Sequence, residues 1–147
     1  MALDRLPARL VIFDLDGVIY RGSHPIRGAA DLTRQLRSAG CLVRYATNNS
    51  TVTRADYAAR LAGMGIEASV DEIVTSTWAT IEYLRHHRPD VRSVIAVGER
   101  GVADELRGAG FEVVAARDAS STLDGSPLDR PFDACVVGLD RRFDYRS

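Results

Sequence analysis

Short apolar runs alternate along this chain with segments of helical spacing, and that alternation permits few folds. Leu10-Val11-Ile12-Phe13, bounded by acidic and glycine residues, reads as a strand buried on both faces. From Gly28 to Ala39 the small or apolar positions Ala29, Leu32, Leu36 and Ala39 keep one helical stripe, and Gly40 is the expected C-terminal stop. Strand Leu42 to Ala46 runs into the polar Thr47-Asn48-Asn49-Ser50. Thr53 can then cap a helix that turns Tyr57, Ala58 and Leu61 inward and stops near Gly63 or Gly65. Ser69 to Glu72 has capping-box spacing, with room only for a short turn before Ile73-Val74. Ser76 is the expected cap of a longer helix that carries Trp78, Ile81 and either Leu84 or Arg85 on its face and ends at Pro89. Beyond it come strand Val94 to Val97, helix Val102 to Ala109, strand Phe111 to Ala115, a polar stretch from Arg117 to Pro131, and strand Ala134 to Val137. Strands alternating with helices imply right-handed crossovers and a parallel α/β sheet.

At 147 residues the chain can bury one core or two small ones. The Arg88-Pro89-Asp90 break is the expected boundary, dividing residues 1–90 from 91–147, and Ser120 to Pro131 reads as a surface loop. The near-identical Leu36-Arg37-Ser38-Ala39-Gly40 and Leu106-Arg107-Gly108-Ala109-Gly110 read as shared helix-to-strand punctuation, since two copies make no solenoid. A formal charge of -1 favours neither nucleic acid nor an anionic membrane, so any anion needs a local site. No apolar run reaches the ~20 residues of a membrane helix and no hydrophobic signal core stands at the N-terminus, so the default expectation is a cytoplasmic protein. Cys41 and Cys135, isolated in apolar segments, read as buried thiols.

The chemistry concentrates in Asp14-Leu15-Asp16-Gly17, two carboxylates one residue apart where a strand gives way to a loop. Like charges this close raise each other's pKa unless a cation neutralises them, and Mg²⁺ is the natural partner. Ligands of open α/β sheets bind at the carboxyl ends of strands, where Asp14 and Asp16 should lie. Thr47, Asn48 and Asn49 end the neighbouring expected strand at the same edge. Such hydroxyl and amide groups donate to phosphate oxygens without adding charge. A plain Asp-Gly turn beside an ordinary Asn-Asn turn before a helix cap is the alternative.

D-L-D-G-V-I-Y at Asp14 to Tyr20 and T-N-N-S at Thr47 to Ser50, with the following R-x-x-Y-A-x-R-L-x-x-M-G-I stretch, resemble the haloacid dehalogenase superfamily, in its branch of nitrophenyl-phosphatase and NagD-like phosphatases. Ile73 to Ser76, Val97-Gly98-Glu99 and Asp133 to Asp140 resemble the entry into that branch's cap domain. The resemblance implies a Rossmann-like core, incomplete here, over residues 1–90 and the first part of an α/β cap over 91–147. It implies a Mg²⁺-dependent phosphatase acting on a small phosphorylated metabolite, with self-association through the cap as one arrangement. Asp14 would be the nucleophile that becomes an aspartyl phosphate, and Asp16 the acid and base. The Asp14 side chain and the Asp16 carbonyl would ligate Mg²⁺, while Thr47 and the amides at Asn48 and Asn49 would hold the phosphoryl oxygens.

Two of the family's motifs have no counterpart. The third supplies a Lys, or in some relatives an Arg, and this chain contains no Lys. The fourth supplies an acidic cluster that Val137-Gly138-Leu139-Asp140 with Asp144 imitates only superficially, because its position matches a strand in mid-cap. The expectation is therefore a chain that stops within the cap, as a fragmentary gene product or with a partner chain carrying the rest. A non-catalytic remnant that binds phosphate or Mg²⁺, or that assembles with another chain, is the competing reading, and a receiver-like phospho-acceptor, which also relies on a Lys, is a third. Gly98-Glu99-Arg100-Gly101 reads as a tight turn, His86-His87 as a solvated helix end, and Tyr20, Tyr57 and Trp78 as packing residues.

Overall fold

The computed structural model describes residues 9–116 and 131–142. Contacts divide the chain into two compact units, residues up to Thr47 with Arg54–Val74, and Asn48–Thr53 with Thr75 onward. The division falls before the helix that ends at His87, whereas the sequence break lies after it.

In the first unit, β1 (Leu10–Asp14), β4 (Leu42–Thr47) and β5 (Ile73–Thr75) form a sheet in the order β1-β4-β5, with β1 and β4 parallel. A small antiparallel pair, β2 (Tyr20–Arg21) and β3 (His24–Pro25), lies between β1 and helix α1 (Ala29–Ser38). Strands of two residues are too short to carry a periodicity, which is why the sequence pattern gave no sign of them. Helix α2 (Arg54–Gly63) follows β4, and a single 3₁₀ turn, Val70–Glu72, leads into β5. The Ser69 N–H donates to Glu72 Oε2 at 3.0 Å, the side-chain bond that the capping-box spacing anticipates. Val43, Tyr45, Leu15, Ile19, Tyr57, Leu61, Ile66 and Ile73 are buried. Each such aliphatic side chain contributes about 1.5–3 kcal/mol by leaving water.

β1 departs from its expected burial. It is an edge strand of this sheet, its residues alternate between exposed and half-buried, and Ile12 is 60% exposed. A strand is apolar on both faces only where both are covered, and here Leu10, Ile12 and Leu42 remain exposed.

In the second unit, β6 (Ser93–Val97) is central and parallel to both β7 (Glu112–Ala115) and β8 (Ala134–Val137). Helices α3 (Ser76–His87) and α4 (Arg100–Gly108) contribute Ile81, Leu84, Val102 and Leu106 to one buried cluster with Val91, Val94, Ala96 and Val136. The cap of α3 is Thr75, not Ser76. The Thr75 side chain accepts from Trp78 N–H at 3.1 Å, while Ser76 Oγ donates to the Asn48 carbonyl at 3.1 Å. The N-cap oxygen must reach the third residue onward, and only Thr75, still extended at ψ 163°, holds that geometry.

The repeated pentapeptide ends two helices in the same way. Gly40 and Gly110 have φ of +79° and +93°, and the residues after them, Cys41 and Phe111, donate to the carbonyls of Leu36 and Leu106. The thiols are less covered than expected: Cys41 is half-buried and Cys135 exposed. Cys135 alternates with buried Val136 on β8, so the strand's period of two turns it outward. The expected loop from Ser120 lies outside the described residues except at Pro131. No helix among the described residues is long and apolar enough to cross a membrane.

Candidate active site

The parallel register sets Asp14 opposite Ala46, so β1 and β4 end together and bring Asp14 and Thr47 to one carboxyl edge. Asp14 is exposed and Thr47 buried. Leu15 points into the core with no exposed surface, which turns its two neighbours, Asp14 and Asp16, outward. The chain then folds tightly: the Leu15 carbonyl accepts from Ile19 N–H at 2.9 Å and Tyr20 N–H at 3.2 Å, and Gly17 N–H donates to Tyr20 O at 2.7 Å. Gly17 sits at φ +83°, which a side chain would strain, and Asp16 bridges to Tyr20. Three of the expected site residues, Asp14, Asp16 and Thr47, thus belong to the first unit.

Tyr20 is fully buried beneath this turn, as the packing reading anticipates. Among the described residues its hydroxyl finds no hydrogen-bond partner, and it is pushed up to about 12, chiefly by burial and then by the Asp16 charge. The Arg60 guanidinium lies 4.2 Å from the Tyr20 ring centroid and also donates to the Gly22 carbonyl, tying α2 to the loop after Asp16. Sequence reasoning gave Arg60 no role. Its only signal is its place in R-x-x-Y-A-x-R-L, one residue before buried Leu61.

Asn48 and Asn49 follow Thr47 directly and belong by their contacts to the second unit. Asn48 is exposed, with its carbonyl bonded to Ser76. Asn49 is half-buried, and its Oδ1 accepts from Thr51 N–H at 3.0 Å and Thr51 Oγ1 at 2.7 Å. The carbonyl end of the Asn49 side chain is thereby fixed toward Thr51.

Among the described residues no group of three or more His, Cys, Asp or Glu gathers that could hold a metal. Two exposed carboxylates at one strand end are nevertheless a hard-oxygen donor set that suits Mg²⁺, which keeps several of its waters and binds through one or two carboxylates. Asp140 accepts from Arg142 N–H at 2.8 Å within its own turn, and Asp144 lies outside the described residues. Glu99, in the tight turn before α4, is held at about 2 by hydrogen bonds from Arg141. His86 and His87 are exposed at the end of α3.

The family model for haloacid dehalogenase-like hydrolases matches residues 11–112. The chain belongs to this family. This haloacid dehalogenase-like chain is 34% identical over 141 residues to the chloroplastic phosphoglycolate phosphatase 1A of Arabidopsis thaliana, covering 91% of this chain and 39% of that protein. It superposes on the p-nitrophenyl phosphatase of Archaeoglobus fulgidus with a TM-score of 0.75 at 30% identity, covering 95% of this chain and 49% of the other. The glycerol phosphate phosphatase of Mycobacterium tuberculosis, solved in complex with magnesium, gives 0.71 at 28% identity, covering 93% and 37%. This haloacid dehalogenase-like chain therefore spans between about two fifths and half the length of these relatives. Its mixed α/β fold with parallel sheets agrees with the architecture read from the sequence.

Proposed function

We propose that this chain carries the nucleophile and the phosphate-binding loop of a Mg²⁺-dependent phosphomonoester hydrolase. The observation that carries the reading is the register of β1 on β4, which ends the two strands together at Asp14 and Thr47. A carboxylate and a hydroxyl donor at one sheet edge form the minimum needed to attack a phosphoryl group and hold its oxygens. The phosphatase names of the relatives support the same reaction class.

An Asp14 carboxylate oxygen attacks phosphorus; the Oδ–P bond forms as the ester P–O bond breaks, leaving an aspartyl phosphate. Asp16, as the carboxylic acid, protonates the departing alkoxide. As the carboxylate it then takes a proton from water, whose oxygen attacks phosphorus and releases inorganic phosphate with Asp14 restored. Thr47 and the amides at Asn48 and Asn49 hold the phosphoryl oxygens through both steps. The Asp14 side chain and the Asp16 carbonyl would hold Mg²⁺, which supplies neutralisation of the charge shared by nucleophile and phosphate. Core and cap are the roles proposed for residues 1–90 and 91–147, and a small phosphorylated metabolite is the proposed partner.

A second reading has its own support. The chain contains no Lys and, among the described residues, gathers no group of three carboxylates at this edge, which suits a non-catalytic remnant that binds phosphate. The test is phosphate release from p-nitrophenyl phosphate by the protein as its host makes it, with Mg²⁺ and with EDTA, alongside Asp14→Asn. Release that needs Mg²⁺ and vanishes in Asp14→Asn is expected. Release that persists in Asp14→Asn overturns the assignment of the nucleophile, and no release at all leaves the remnant.

A further inference from the structure

Ser50, Thr51 and Val52, which continue the chain from Asn48 and Asn49, sit against the start of α4 at a distance that only glycine allows. Ser50 and Thr51 are 2% and 4% exposed. The Gly101 N–H donates to Thr51 O at 3.2 Å, and the Leu139 N–H donates to Ser50 Oγ at 2.9 Å. A Cβ on Gly101 would lie 2.5 Å from Ser50 O, 2.5 Å from Val52 N and 2.6 Å from Val52 C. All three are backbone atoms, so no rotamer change relieves the overlap and the segment itself must move. Gly101 is helical, with no positive φ, so glycine stands here for close approach and not for backbone conformation. At Gly138 the overlapping atoms are side-chain ones, Val102 Cγ2 at 2.5 Å and Ser50 Oγ at 2.7 Å, which can turn aside.

The seat connects to the proposed phosphate-binding loop by an unbroken chain of bonds. Gly101 N–H holds Thr51 O, and Thr51 N–H and Oγ1 hold Asn49 Oδ1 at 3.0 and 2.7 Å. We infer that Gly101 is a positioning residue for that loop: its missing side chain seats Ser50–Val52 on α4 and so sets where Asn49 and, one residue earlier, Asn48 present their amides. The inference rests on the reading of Thr47–Asn49 as phosphate-binding. A displaced donor costs a hydrogen bond to a charged oxygen, about tenfold or more in affinity.

The test titrates inorganic phosphate, with Mg²⁺ present, into the ¹⁵N-labelled chain and follows the amide shifts of Asn48 and Asn49. Gly101→Ala should weaken phosphate binding by about tenfold or more and shift both amides before any phosphate is added. Gly138→Ala should do so less, and Gly108→Ala, in the same helix with open space around it, should match the parent chain. Thr51→Ala removes the Oγ1 bond to Asn49 without any overlap, so it decides the matter if Gly101→Ala fails to fold; it too should weaken phosphate binding. Thr47→Ala separates the two ideas. If it weakens binding while Gly101→Ala and Thr51→Ala do not, the positioning role is overturned and the phosphate-binding reading stands. If the parent chain binds no phosphate, both are overturned.

Discussion

Replacing Glu72 with Ala removes a carboxylate that Arg37, Ser69 and Arg44 of the first unit surround. Its two oxygens each accept from Arg37 at 2.7 Å, Oε2 also accepts from Ser69 N–H, and Arg44 lies 3.6 Å away. The side chains of Arg37 and Glu72 are 28% and 17% exposed, between a surface pair worth about 0–1 kcal/mol and a buried pair whose breakage costs about 3–5 kcal/mol. The bidentate geometry places the Arg37–Glu72 coupling at about 2 kcal/mol, and the lost Ser69 bond brings the cost of Glu72→Ala to about 3 kcal/mol. Arg37, above all, holds the Glu72 carboxyl below its usual 4.5. The coupling is therefore complete above the ordinary carboxylate range and disappears as pH falls through the lowered value. A double-mutant cycle of Glu72→Ala and Arg37→Ala measures it through urea-dependent amide exchange in β4, because the single Trp, Trp78, belongs to the second unit. A coupling below about 0.5 kcal/mol at neutral pH, or one that grows in acid, would refute the argument.

Two further predictions concern the second unit, where Trp78 fluorescence is the reporter. Thr75→Ala removes the acceptor for Trp78 N–H and should lower stability by about 1 kcal/mol, with Thr75→Ser retaining most of it; equal losses in both would discount the cap. One oxygen of Asp133 accepts from the N–H groups of Arg92 and Ser93 and from Ser93 Oγ, bonds that hold this carboxyl near 2 against its usual 3.8. Its contribution is present above about pH 4 and lost as pH falls toward 2, so Asp133→Asn should destabilise the unit at neutral pH and flatten that part of its acid titration. An acid titration of Asp133→Asn parallel to the parent's would contradict this.

Much of the fold was legible because it rests on short-range rules. The stripe Ile81–Leu84, the glycine stops at Gly40 and Gly110, and the Ser69–Glu72 spacing each depend on a few consecutive residues, and each stands within a residue or two of its expected place, whereas in α1 Leu32 and Ala39 of the expected stripe are exposed and Thr33 is buried beside Ala29 and Leu36. The cap of α3 was misplaced by one because Thr75 and Ser76 are both good caps and only the backbone angle chooses between them. At the candidate site, the pattern D-x-D-G before a loop pointed to Asp14 and Asp16. Arg60 was invisible, because its partner Tyr20 is 40 residues away and no local pattern announces a guanidinium over a ring.

The sequence by itself determined which residues could be strand, helix and turn, and which short polar motifs carry chemistry, since periodicity, capping and turn preference act over a handful of neighbours. Tertiary structure alone decided what those elements face. The register of β1 on β4 sets Asp14 and Thr47 at a common edge, the edge position of β1 leaves Ile12 exposed where apolarity suggested burial, and contacts assign Asn48–Thr53 to the unit of α4. Gly101 shows the difference most plainly: in the sequence it is a helix residue of poor propensity, and only the backbone of Ser50–Val52 at 2.5 Å from its absent Cβ explains it. That contact joins residues about fifty positions apart, a separation over which no local rule of sequence acts.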